Sequence, residues 1–345
     1  MEKLLKKINW ENIKKFNSKY SYIVSFILLL TLATIINPRY FSYRNLSTLV
    51  LQASIKGIIT LGMSLVVIAG MIDLSVGSIV ALTSGLAVVV LNQTGNVWIM
   101  LAFCVVFGTF LGLINGLLVT KGKIAPFIVT LATMSAYRSI IVQLGQGGPF
   151  NVDLDILGDF RMIAAGNVLG IPNLAIIFAV ITIIISILMA KTKFGRYVYA
   201  VGSNEQAARL TGINVDLIKT LTFVITGLLT GIAAFLLASR LTSITAPNAG
   251  QSFELDAIAG VAIGGIAMTG GRGAIAGSFL GAIMLQMIEG ILIAAKIPPF
   301  LNGLVKGVII IFTVLLQHRN VVQRKKRLTE KVEDKDEKAE EKVEE

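Results

Sequence analysis

The sequence predicts an all-α fold, a polytopic transmembrane helical bundle of about ten spans. Three observations carry that expectation. The residues are 54% hydrophobic and 15% charged, where a soluble domain has about 25% charged. The charges crowd into Met1–Lys19 and Arg319–Glu345 and leave the middle nearly bare. Between those ends, apolar runs recur at about the 20 residues that a helix needs to cross a ~30 Å hydrocarbon core.

The spans are expected at 20–36, 46–70, 76–92, 97–120, 124–143, 173–190, 215–239, 255–270, 274–295 and 300–316. This divides the chain into a basic segment 1–19, a membrane domain 20–316 and a charged tail 317–345. Ahead of the first span, Lys14, Lys15 and Lys19 resemble the basic region of a secretion signal. The apolar run Tyr20–Ile36 exceeds the usual ~7–15 residues, and Asn37-Pro38-Arg39-Tyr40 offers no small-residue cleavage site, so a retained anchor is expected. Upstream, Leu4, Leu5, Ile8, Ile13 and Phe16 alternate with lysines, which suits a short helix on the membrane surface or a disordered basic tail. The third, eighth and tenth runs are short, so tilted or re-entrant paths are open to them. The tail from Leu328 onward is a Glu/Lys mixture that has too little apolar surface for a core.

Orientation follows from lysine and arginine. With the N-terminus inside, the outer segments hold only Arg39, Arg44, Arg161, Arg240 and Lys296, and the remaining basic residues outside the spans fall inside. The positive-inside rule then places both termini in the cytoplasm. The net charge of +11 is distributed along membrane edges and does not indicate nucleic acid. Glycines four apart (Gly108/Gly112/Gly116, Gly227/Gly231, Gly260/Gly264, Gly273/Gly277/Gly281 and Gly303/Gly307) predict close helix packing, within the bundle or between two copies.

Several chemistries are excluded. No GxxxxGK[ST] loop exists to cradle ATP phosphates. His318 is the only histidine, so neither an HExxH zinc site nor a serine triad inside the bundle can be built. Cys104 is the only cysteine, which leaves no internal disulfide and no CxxC pair. Gly271-Arg272-Gly273-Ala274-Ile275-Ala276 matches a dinucleotide fingerprint but joins two apolar runs, so a glycine turn is expected.

The longest inner loop, Lys191–Val215, is the most informative. Ser203 is placed to cap a helix with Gln206 reaching back, Glu205 lies in the first turn where the dipole favours an acid, and Gly212 supplies a left-handed stop. A helix of about eight residues, about 12 Å long at 1.5 Å per residue, is expected over Ser203, Asn204, Glu205, Gln206, Ala207, Ala208, Arg209, Leu210, Thr211 and Gly212. Such a helix is marginal alone and must pack on something.

This loop resembles the coupling loop of ABC importer permeases, Glu-Ala-Ala, three residues, then Gly: Ala207, Ala208 and Gly212 match, and Gln206 stands at the glutamate. Gly70-Met71-Ile72-Asp73-Leu74-Ser75-Val76-Gly77-Ser78 is similar to the Gly-Gly-Ile-Asp-Leu-Ser-Val-Gly signature of the ribose-type monosaccharide permease family, with Met71 at the second glycine. Phe253-Glu254-Leu255-Asp256-Ala257-Ile258-Ala259 and Gly270-Gly271-Arg272-Gly273 resemble two later family segments, so the likeness runs from about Asn45 to Leu316. It implies a permease subunit, in the inner (plasma) membrane of a prokaryote, of an ATP-driven importer of a monosaccharide, of the ribose type or related to it, and not an enzyme. Its partners would be a second permease copy, an ABC ATPase carrying ATP and Mg, and an extracytoplasmic sugar-binding protein. No cofactor is expected on this chain. Asp73, Ser75, Gly77, Glu254, Asp256 and Arg272 become gating candidates.

Other polar groups fall within the spans. Lys56, Arg138, Glu289 and Lys306 join Asp73 and Asp256 as charges that must face protein, water or an interface. Asn115, Thr130, Thr133, Ser135, Gln143 and Gln286 are candidates for lining a path or for bonding within the bundle. The rival readings are an ion-coupled secondary transporter, which leaves the coupling-loop pattern unexplained, and an intramembrane enzyme, which has no evident nucleophile, base or metal set.

Overall fold

The computed structural model describes residues 10–36, 38–298 and 301–315. Expectations that fall on Met1–Asn9 or on residues 316–345, His318 among them, lie outside the described residues. Helix α1 (Trp10–Ile36) runs without a break from the basic segment through the first apolar run. It is followed by α2 (Tyr43–Ile68), α3 (Val76–Thr94), α4 (Val97–Thr120) and α5 (Pro126–Leu144). Strand β1 (Pro149–Asn151), α6 (Leu154–Ala165), and strands β2 (Asn167–Val168) and β3 (Ile171–Pro172) lead into α7 (Asn173–Lys191). Two short helices, α8 (Lys193–Ser203) and α9 (Glu205–Leu210), precede α10 (Val215–Leu241). Strand β4 (Ser243–Thr245), α11 (Phe253–Ile263), α12 (Ile275–Ala294) and α13 (Asn302–Leu315) complete the fold.

Seven of these helices, α2, α3, α4, α5, α7, α10 and α12, are long and apolar enough to cross a membrane. Of the other three expected spans, two fall on the shorter apolar helices Ile23–Ile36, the end of α1, and Asn302–Leu315, and one on the 11-residue α11, Phe253–Ile263. The run expected as one span over 255–270 is thus a half-length helix that stops at Ile263, followed by a glycine-rich turn. Its cause is local: Gly264 and Gly265 end the helix, and Gly265 is left-handed at φ 80°.

Local signals set the helix ends. Asn96 caps α4 by accepting from the amides of Trp98 and Ile99, α5 starts with Pro126 in its first turn, where a missing N–H costs nothing, and α3 ends at left-handed Gly95.

Helix α2 lies at the centre, with 83% of its most apolar window buried, against 28% for α4, α5 and α7. The outer faces of α4 and α7 carry Val106, Phe110, Ile183, Ile184 and Ile187, all exposed, as lipid-facing surfaces require. Between helices, small residues and hydroxyls do the joining. Thr226 donates to the Gly62 carbonyl at 2.9 Å, and Ser64 to Ser278 at 2.7 Å.

The glycine rows are used within the chain. A Cβ on Gly112 would fall 2.4 Å from the Phe223 carbonyl oxygen, and one on Gly108 would fall 2.5 Å from that of Gly227, so α4 and α10 touch backbone to backbone. Gly277 and Gly281 meet Gly264 and Gly260 in the same way. By contrast, Gly303 and Gly307 on α13 face open space. Gly112→Ala should therefore destabilise the bundle by about 1–3 kcal/mol, the range for overpacking, while Gly307→Ala should cost nothing measurable. Thermal unfolding of the two variants in detergent checks the contrast.

The β1 end is closed by small elements. β1 pairs antiparallel with β4, Phe150 opposite Ile244. On α6, Phe160 is fully buried edge-on to Phe235, 5.8 Å between ring centres, and Ser239 of α10 donates to its carbonyl at 2.7 Å.

Candidate functional site

At the opposite end of the bundle, α7 turns directly into α8. Thr192 caps α8 by accepting from the Gly195 amide. Val198 and Val201 are buried and Phe194 is half-buried, an i, i+4, i+7 stripe that seats α8 on the bundle. Asn204 then breaks the chain direction with ψ 103° and starts α9, accepting from the Ala207 amide at 3.0 Å. Two expectations are corrected here. Ser203 is the last residue of α8 and not the cap, and Gln206 does not reach back to it; Asn204, an equally good capping residue, takes the position. The second helix spans six residues, not about eight. Gly212 is left-handed at φ 81°, as the expected stop.

Glu205 accepts from Lys219 of α10 at 2.6 Å and from Arg209 at 3.2 Å, and Arg209 also holds Asp216 at 2.7 Å. Glu205, two residues before Ala207, thus ties α9 to the foot of α10. Ala208 is buried, whereas Asn204, Gln206, Ala207, Leu210, Thr211 and Gly212 are exposed, Leu210 at 90%. A short, braced helix here presents its other face outward.

The Lys219 hydrogen bond, with the Lys219 and Arg209 charges, holds the Glu205 carboxyl below its usual value against partial burial. A depressed folded value means that the unfolded chain binds the proton more tightly. The brace is therefore complete above the reference value of about 4.3 and is lost as pH falls through the folded value. Screening at this 42%-exposed group limits the contribution to a few tenths of a kcal/mol. Amide exchange over residues 207–211, corrected for intrinsic rate, should accelerate as pH drops below about 4, and Glu205→Gln should remove that dependence.

Two turns converge beneath α8, Ile68–Gly70 and Gly270–Gly273. The Gly271 amide donates to the Ile68 carbonyl at 2.8 Å, and the Tyr199 hydroxyl donates to the Gly273 carbonyl at 2.8 Å. Gly202 lies so close to Ile68 and Gly271 that any Cβ would overlap their backbone, and Gly271 is equally tight against Ser203. Gly70, Gly270 and Gly271 are left-handed, at φ 84°, 84° and 70°, so glycine is required by conformation as well as by contact. α8 therefore touches both segments that carry the remaining candidates. Arg272 sits exposed in the second of these turns.

From the first turn the chain runs non-helically through Asp73 to Ser75. Asp73 is buried and accepts from the amide and hydroxyl of Ser75, at 2.9 and 2.6 Å, and Asn115 of α4 donates to the Ser75 hydroxyl at 2.8 Å. Asp73 thus fixes the turn two residues on and does not cap α3 further along. Gly77 meets a second non-helical stretch, 246–252. A Cβ on Gly77 would fall 2.4 Å from the Gly250 carbonyl oxygen and 2.5 Å from a Glu254 carboxylate oxygen. Gly77 and Glu254, far apart in sequence, are brought together.

Asp256 goes elsewhere. It is 2% exposed and bound by Lys56 at 2.8 Å and Lys306 at 2.5 Å, and Glu289 takes the same two lysines at 3.1 and 2.7 Å. This quartet of α2, α11, α12 and α13 is electrically balanced. The sequence marked these four as charges within spans without pairing them.

The polar candidates separate as well. Asn115, Thr130, Thr133 and Gln286 are bonded inside the bundle, while Ser135 and Gln143 are exposed on α5. Arg138, on the same helix, is half-buried and donates to backbone carbonyls of Ala246, Ala249 and Gly77; the sequence marked it only as a charge within a span.

Residues 45–314 match the family described as "Branched-chain amino acid transport system / permease component". The ribose import permease RbsC of Bacillus subtilis (strain 168) is 38% identical over 314 residues, covering 91% of this chain and 96% of that protein. RbsC of Haemophilus influenzae is 36% identical over 304 residues, 88% of this chain and 94% of the relative. The L-arabinose permease AraH of Escherichia coli (strain K12) is 33% identical over 297 residues, 86% and 89% of the two chains. No solved structure matches.

Proposed function

The chain belongs to the ribose-type permease family of sugar ABC importers, and from that membership we propose that it is the membrane-spanning subunit of an ATP-driven importer of ribose or a related monosaccharide. Two copies form the pathway, a separate ABC ATPase binds ATP and Mg, and an extracytoplasmic binding protein delivers the sugar. The α8–α9 end and both termini face the cytoplasm; the β1/β4 end with α6 faces the binding protein.

One observation carries the mechanism: α8, joined through Asn204 to the exposed α9, contacts both the Ile68–Gly70 turn and the Gly270–Gly273 turn. A push on α9 by an ATPase would pass through α8 into the stretch holding Asp73, Ser75 and Gly77. Through the second turn, beside Arg272, it would reach α11, which carries Glu254 and Asp256. Ser203, Asn204, Glu205, Gln206, Ala207, Ala208, Arg209, Leu210, Thr211 and Gly212 are thereby assigned to ATPase coupling. Neutral sugar hydroxyls need donors and acceptors rather than a counter-ion, and the balanced quartet at Asp256 suits a fixed internal brace better than an ion-binding site. The test is co-expression with the ATPase subunit and affinity purification of either one. Recovery of a stable complex supports the reading, and purification of each alone at normal expression counts against it.

A further inference from the structure

We propose that Arg138 is a two-position latch on the outer half of the pathway, with Glu254 as its alternative acceptor. This rests on the permease reading above for its role in transport, but not for its geometry. The Arg138 guanidinium donates from Nη1 to the carbonyls of Ala246, at 3.1 Å, and Ala249, at 2.5 Å, and from Nη2 to that of Gly77, at 3.5 Å. It therefore ties the non-helical stretch 246–249 to the first turn of α3. Carbonyls left open by irregular backbone within a membrane need such donors.

Glu254 makes this arrangement switchable. Its carboxylate lies against the same Gly77. Among the described residues Glu254 and Arg138 nevertheless form no ion pair. A guanidinium bonds more strongly to a carboxylate than to neutral carbonyls, so Arg138 has two competing acceptor sets around one glycine. Both side chains are half-buried. Glu254 rides on α11, whose far end leads into the turn held by α8 through Tyr199 and Gly271. A shift of α8 would move Glu254 relative to Arg138, draw the arginine off the 246–249 carbonyls and release that stretch from Gly77. A population shift of this kind needs only a differential interaction with two existing states.

The experiment places Arg138→Gln, Arg138→Lys and Glu254→Gln in the full chain, reconstituted with ATPase and binding protein, with radiolabelled D-ribose as probe. Each variant's thermal stability is measured alongside. Arg138→Gln should raise ATP-independent ribose leak at least about fivefold, the low end of coupling between two states. Arg138→Lys, which keeps the charge without the planar fork, should fall between. Glu254→Gln should lower ATP-driven uptake by a similar factor with leak unchanged. A second measurement needs no substrate: Ala249→Cys should react faster with a membrane-impermeant maleimide from outside when Arg138→Gln is added, and buried Cys104 should contribute no labelling. Absence of ATP-driven uptake by the wild type would count against the permease reading alone. Unchanged Ala249→Cys labelling in a stable Arg138→Gln protein would overturn the latch, as would Arg138→Gln and Glu254→Gln shifting leak in the same direction.

Discussion

Ala207→Arg is expected to cut ATP-driven sugar uptake by about tenfold or more while the protein still folds and inserts, since an overfilled contact costs about 1–3 kcal/mol and about 1.4 kcal/mol is a factor of ten. Ala207 is exposed on α9, and arginine is a good helix former, so the chain alone has room for the substitution. Only a partner seated against that face would be displaced. Gly212→Pro reaches the same endpoint from the other side of the helix. Gly212 has φ 81°, and its amide donates to the Arg209 carbonyl at 3.0 Å; proline supplies neither that φ nor an N–H. Loss of the stop frees Leu210 and Thr211 from their positions. Complex formation, ATP hydrolysis and uptake are measured together in reconstituted vesicles. Normal uptake in both variants at normal expression would remove α9 from the coupling mechanism.

Asp256→Asn is expected to be the most destabilising single change in the bundle, at about 3–5 kcal/mol, because it leaves a buried charge network unbalanced. Lys56 and Lys306 would then share Glu289 alone, and both lysine side chains are mostly buried, at 24% and 14% exposure. Glu289→Leu combined with Lys306→Met removes one charge of each sign and should cost much less than Asp256→Asn, since balanced removal of a buried pair is often nearly neutral. Thermal unfolding in detergent separates the cases. Equal losses for the single and the paired substitution would mean that packing, not charge balance, sets the stability of α11 and α13.

What the sequence made legible, and what it did not, follows the range of the interactions involved. Apolar length and the placement of lysines need no tertiary information, and the membrane-length helices stand where the apolar runs do. Helix α9 was visible because its stop, Gly212, is local chemistry. Its cap was misplaced by one residue because Ser203 and Asn204 are both good capping residues, and only the burial of Val198 and Val201, which extends α8 through Ser203, decides between them. That stripe of Phe194, Val198 and Val201 was itself readable at helical spacing. The β1–β4 pairing was not, because three-residue strands carry no usable period and the partners lie far apart in the chain. The glycine rows announced close contact without saying with what, and the answer for α4 is α10 of the same chain. Glu254 and Asp256, two residues apart, were grouped by the sequence; α11 directs one toward Gly77 and the other into the lysine quartet. Only the fold shows that.

The most direct test of the central claim is uptake in vesicles containing this chain, its ATPase and its binding protein, with radiolabelled D-ribose outside. The expected result is uptake that requires ATP, both partners and an intact α9, and that is indifferent to an imposed proton or sodium gradient. Uptake driven by either gradient in vesicles that lack the ATPase would contradict the account.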